Sequence, residues 1–196
     1  MKVILLGAGA SKAYADSPAK LRIPIAKEFF STYPKLEISG NGWVLVGSLI
    51  HYLKRYNHIQ NDLDLINFEK DIEELHTEIE NRLFSIIKNP VDLSHDEFAE
   101  LHLCFKAYTQ LIFLFANVLN EIQNGPVSKP HINLGKHLTP EDVIITFNWD
   151  TLMDRALQTA SDWNCHTGYF AKPFAVYNNG WKANTGSEIS SSPTTS

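Results

Sequence analysis

The first eleven residues constrain the fold more than any other part of the chain. Val3-Ile-Leu-Leu6 is an unbroken apolar run, the pattern of a parallel strand covered on both faces. It passes without a spacer into Gly7-Ala-Gly9-Ala-Ser11. A strand that ends in Gly-x-Gly turns tightly and lets a ligand reach the backbone where a Cβ would otherwise stand. The following helix offers unpaired N–H groups and a partial positive charge, which together hold phosphate. Ser11 adds a hydroxyl donor. The competing reading is a strand–helix turn that simply packs closely.

The phosphate reading has limits set by neighbouring residues. A dehydrogenase-type loop calls for a third glycine where this chain has Lys12. It also calls for an acidic residue ~20 positions on, at the end of a second strand. Glu28 stands near that distance but in a helical stretch led by Pro24. The Gly-Lys-Ser/Thr of a Walker loop is absent. Hydride transfer and ATP hydrolysis are therefore disfavoured.

The rest of the chain is mainly helical in pattern. Helical stretches are expected over 10–15 and 24–30, the second with a proline in its first turn. Ser39-Gly-Asn-Gly42 reads as a turn, and 43–56 as a helix with Lys54 and Arg55 at its C-terminal end. Asn67 is the expected N-cap of a helix burying Phe68, Ile72, Leu75, Ile79, Leu83 and Ile86. The run Asp71–Glu74 is read as its solvated, acid-rich start. Ser94 and Glu97 form a capping box for a third helix, which carries Phe98, Leu101, Phe105, Tyr108, Ile112, Phe115 and Leu119 and stops at Asn124-Gly-Pro126. This stripe is expected to be core or a subunit interface.

A second apolar strand, Val143-Ile-Ile-Thr-Phe147, leads into Asn148-Trp-Asp150 and a short helix through Leu157. Polar residues at the C-terminal end of a parallel strand face the crevice in which α/β folds bind ligands. Asn148 offers a donor and an acceptor, and Asp150 a carboxylate. The plainer roles are turn former for Asn148 and helix N-cap for Asp150, and both can hold together.

The 196 residues, 44% apolar and 20% charged, suit one α/β domain with a full core. The net charge of −5 and the lack of a Lys/Arg run argue against nucleic-acid binding. Cys104 and Cys165 form no CxxC pair, and the histidines show no zinc spacing, so no metal is expected. No run reaches the roughly 18 apolar residues of a membrane span, and the N-terminal apolar run stops at Leu6, too early for a signal peptide. A cytoplasmic chain without membrane contact is the expectation.

Taken together, Gly7-Ala8-Gly9-Ala10-Ser11, Ile23-Pro24 and Thr146-x-Asn148-x-Asp150 resemble the sirtuin-like (silent-information-regulator) NAD-binding superfamily, above all its bacterial branch found in anti-phage defence. The similarity covers 2–30 and 141–158, and the helical middle only in general character. It implies an α/β fold, a Rossmann-like parallel sheet with a large helical insertion over 40–125 between the first and a later core strand. The chain is then a single, incomplete domain over 1–196 with a flexible polar tail over 184–196. Gly7, Ala8, Gly9, Ala10 and Ser11 would line the NAD pyrophosphate and its ribose, with Pro24 and Thr146 also at the cofactor. Asn148 would position a water or the nicotinamide ribose, and Asp150 the carboxamide, making these two the catalytic pair.

The implied reaction is cleavage of the N-glycosidic bond to nicotinamide, giving ADP-ribose when water attacks. The Asp-Phe-Arg of the protein deacylases is replaced by Ile25-Ala-Lys27, which disfavours deacylation. The family's histidine lies in a Leu-His-Gly segment downstream of Asn-x-Asp. Here the histidine after Asn148 is His166, within Cys165-His-Thr167. The expectation is thus a chain that stops short of that segment, with NAD hydrolysis belonging to the intact protein. The alternative is a non-catalytic sensor of NAD or ADP-ribose. Expected partners are NAD, a second copy through the helical insertion, and a partner or downstream domain.

Overall fold

The computed structural model describes residues 1–36, 46–61, 64, 67–88, 93–164 and 168–169. Within them the chain is a mixed α/β protein, mainly helical, with one parallel pair of strands. It divides into two compact units, one of Met1–Ile23 with Leu119–Ser196, the other of Pro24–Val118. The expected turn at 39–42, His166 and the tail over 184–196 lie outside the described residues.

The first unit holds β1 (Val3–Leu6), α1 (Ala8–Ser11) and the later β2 (Val143–Thr146). The strands pair in parallel from Val3 opposite Val143 to Leu6 opposite Thr146. Asp142 pins the entry to both strands. Its carboxylate accepts from the Lys2 N–H at 2.6 Å and from the Thr139 N–H at 2.9 Å, while the Val143 N–H donates to the Lys2 carbonyl at 2.9 Å. Those backbone donors hold its carboxyl below the usual aspartate range.

The strands are not covered on both faces, contrary to the sequence pattern. Val3 and Leu5 are 60% and 68% exposed, and Ile145 and Phe147 share that outer side. Two strands without a layer on that side, among the described residues, bury only alternate side chains. The helix expected over 10–15 is instead the single turn of α1, tightened by bonds from Ala13 N–H to Ala10 and from Tyr14 N–H to Ser11.

The second unit opens with the short 3₁₀ turn Ala26–Glu28, then α2 (Phe29–Thr32), in place of one continuous helix. α3 (Gly47–Tyr56) and α4 (Ile72–Ile87) follow. α4 starts five residues after Asn67, because the Asp71 carboxylate accepts from the Glu73 N–H at 2.8 Å and caps it there. The expected stripe of α4 is otherwise correct: Ile72, Leu75, Ile79 and Leu83 are buried. Between α3 and α4, Glu78 accepts from Tyr52 at 2.9 Å and from Asn57 at 3.3 Å, and pairs with Lys70.

α5 (His95–Gln123) begins at the expected capping box, in which Glu97 accepts from the Ser94 N–H at 2.9 Å. Its buried face differs from the expected stripe. Cys104, Ala107, Leu111, Leu114, Val118 and Ile122 are buried, whereas Phe98, Phe105 and Ile112 are exposed. The observed stripe lies one residue earlier, about 100° around the helix. An apolar residue at nearly every position leaves two adjacent stripes equally periodic, and packing chooses between them. α5 is also long and apolar enough, by length and composition, to cross a membrane, which a run-based reading missed; a third of that window is buried within the protein.

The chain then forms α6 (Lys129–Gly135), a helix that seven residues with a proline and a terminal glycine did not announce. After β2 comes α7 (Leu152–Ala160), three residues longer than expected. α6 packs against α7 at Gly135, where an added Cβ would meet the Ala160 Cβ at 3.1 Å.

Candidate functional site

Parallel pairing brings the C-terminal ends of β1 and β2 to the same edge, so that Gly7 follows Leu6 where Phe147 and Asn148 follow Thr146. Beyond the strand, Phe147 and Trp149 are exposed while Asn148 and Asp150 are half-buried and turned to the glycine loop. The Asn148 side-chain amide donates to the Gly7 carbonyl at 2.9 Å and to the Ser11 hydroxyl at 3.0 Å. Ser11, fully buried, donates in turn to Asp150 Oδ2 at 2.5 Å. Thr146 fixes the turn by accepting the Asn148 N–H on its hydroxyl at 3.1 Å.

Asp150 has both roles that its position allows. Its second oxygen, Oδ1, accepts from the Leu152 N–H at 3.0 Å, satisfying a free donor at the start of α7. The same turn is braced from α5. The Thr151 N–H donates to the Gln123 side chain at 2.9 Å, and Arg155 donates to the carbonyls of Gln123 and, at 2.6 Å, Gly125. Four of the sequence-derived site residues, Gly7, Ser11, Asn148 and Asp150, thus form one hydrogen-bonded cluster, with Thr146 at its edge. Ala8, Gly9 and Ala10 form the turn above it, and Pro24 belongs to the other unit.

The glycines carry a further clue. Gly7 has φ −107° and ψ 178°, a conformation open to any residue. A Cβ built at Gly7 or Gly9 meets nothing within 4 Å. Neither backbone conformation nor close packing within the chain demands glycine here, so the packing explanation weakens. Open space beside a bare backbone is what an approaching ligand needs.

One group near the cluster escaped the sequence reading. His131 on α6 is 5% exposed, and its Nδ1 shares a hydrogen bond with the Ser128 hydroxyl at 2.6 Å. Burial pushes the imidazole below its ordinary value, partly offset by the Asp150 charge. The available signal was a serine three residues before a histidine, the spacing that meets on one helical face. Among the described residues no group of three or more His, Cys, Asp or Glu side chains could hold a metal ion.

No protein-family model, curated protein or solved structure matches this chain.

Proposed function

We propose that the glycine loop and the end of β2 bind NAD, and that the intact protein cleaves its bond to nicotinamide. In this reading the strand pair is the start of a Rossmann-like parallel sheet, with the ligand at the carboxyl edge. One observation carries it: two bare glycines with open space above them are tied by Asn148 to the Ser11–Asp150 pair. The pyrophosphate runs over Gly7–Ser11, and the nicotinamide end meets Asn148 and Asp150. Cleavage at C1′ develops positive charge on the ribose, which the Asp150 carboxylate and the Asn148 carbonyl oxygen stabilise. The single turn of α1 contributes local N–H groups rather than a helix-length dipole.

A sensor that binds the nucleotide without turnover is the second reading. It is favoured by the way Ser11, Asn148 and Asp150 already satisfy one another. Incubation with NAD, followed by chromatography of free nicotinamide, separates the readings. Nicotinamide release that disappears in Asn148→Ala supports hydrolysis. Saturable NAD binding with no release supports the sensor, and no binding at all refutes both.

A further inference from the structure

Beside the cluster lies a buried polar pair that the nucleotide reading does not use. Ser128 is the N-cap of α6 and 1% exposed. An N-cap serine ordinarily accepts from a backbone N–H two or three residues on. Here the second helical residue is Pro130, which has no N–H, and the hydroxyl makes no cap bond. It is turned instead to His131 Nδ1 at 2.6 Å. A sacrificed cap and a fully buried serine fix the ring in one orientation.

That orientation matters because of what α6 packs against. Gly135 brings α6 close to α7, and α7 starts immediately after Asp150. The ring consequently lies within the field of the Asp150 carboxylate. The other charged groups of α7 are turned elsewhere: Asp154 accepts from Tyr169, and Arg155 donates to Gln123 and Gly125. On α6 and its flank, Lys129, Lys136 and His137 are exposed.

We propose that His131 is a positioning residue for Asp150, governing through its own proton how firmly Asp150 holds Ser11. With the ring uncharged, Asp150 is free to accept from Ser11 and from the Leu152 N–H, the arrangement observed. With a proton added at Nδ1 or Nε2, the imidazolium attracts the carboxylate and weakens its hold on Ser11. The glycine loop then loses its tie to β2, and ligand affinity falls on the acid side. This second consequence rests on the proposed nucleotide site; the His131–Asp150 coupling does not.

Two measurements test the proposal separately. Titration of the His131 ring by long-range proton–nitrogen NMR is compared between the wild-type chain and Asp150→Asn. Loss of the neighbouring charge is expected to lower the His131 midpoint further, and an unchanged midpoint overturns the proposal whether or not NAD binds. Calorimetry with NAD between about pH 8 and about pH 5 is then run on wild type and His131→Asn. The wild type is expected to weaken about tenfold and the variant to show a flat profile. Parallel profiles overturn the proposal. Absence of NAD binding at every pH counts against the nucleotide site, and the NMR comparison still decides the coupling.

Discussion

Ser11 donates its hydroxyl proton to Asp150 at 2.5 Å, joining two segments 139 residues apart in the chain. The bond closes the gap between the glycine loop and the second strand at the one edge where both strands end. It also places a carboxylate with two different duties, since the same Asp150 starts α7.

Ser11→Ala is therefore expected to destabilise the first unit by about 1.5–3 kcal/mol, the range for losing a buried hydrogen bond to a charged group. Asp150 would lose a donor and Asn148 an acceptor in one step. Urea denaturation of variant and wild type measures the difference. A change below about 0.5 kcal/mol would mean that water replaces the hydroxyl and that the serine is held for another reason.

The same cluster shows what could be read from the sequence. Asn148 and Asp150 were legible because strand alternation beyond a known apolar run places them on one side, with Phe147 and Trp149 on the other. The Ser94–Glu97 capping box was legible because its partners are three residues apart. Long-range choices were not. The face of α5 that becomes core is decided by its neighbours, and its apolar sequence suits two faces alike. His131 was hidden because its partners, Ser128 and the distant Asp150, meet only once α6 packs on α7. The exposed face of β1 ran against the pattern because four apolar residues do not reveal how many layers flank them.

Acid stability should show two separable losses. His131 is held below its ordinary 6.5 in the folded state, so the unfolded chain binds more protons as pH falls through that value. The stability from burying it neutral is complete above 6.5 and declines below it. For Glu78, burial works to raise the carboxyl, but hydrogen bonds from Lys70 and Tyr52 prevail and leave it lowered from 4.5. Its contribution is complete above 4.5 and is lost as pH falls through the depressed folded value. Thermal unfolding across this range should show His131→Asn removing the upper slope and Glu78→Gln the lower one.

Cys104 should behave as an inert core thiol. It is fully buried on α5 beside Glu100, and burial together with that carboxylate pushes its pKa up to about 12. The thiolate is the reactive form, so alkylation at about pH 8 should be negligible in the folded chain. In a Cys165→Ser background, iodoacetamide labelling followed by mass spectrometry should detect modification only as denaturant unfolds the second unit. Rapid labelling without denaturant would show that this part of α5 opens readily.

The two glycines at positions 7 and 125 should respond to the same substitution in opposite ways, and the contrast separates folding from ligand binding. A Cβ at Gly7 meets nothing within 4 Å and suits its extended backbone, so Gly7→Ala should change stability by less than about 1 kcal/mol. At Gly125 the new Cβ would lie 2.5 Å from the Tyr14 hydroxyl and 2.6 Å from the Asp16 carbonyl oxygen. That turn is clamped by Arg155, and the clash should cost about 1–3 kcal/mol. If a ligand's phosphates lie over the first loop, Gly7→Ala should weaken NAD binding by about tenfold, ~1.4 kcal/mol, while its unfolding curve stays with the wild type. Calorimetry and urea denaturation on the same samples make the comparison. Unchanged NAD affinity in Gly7→Ala would place the nucleotide somewhere other than the loop.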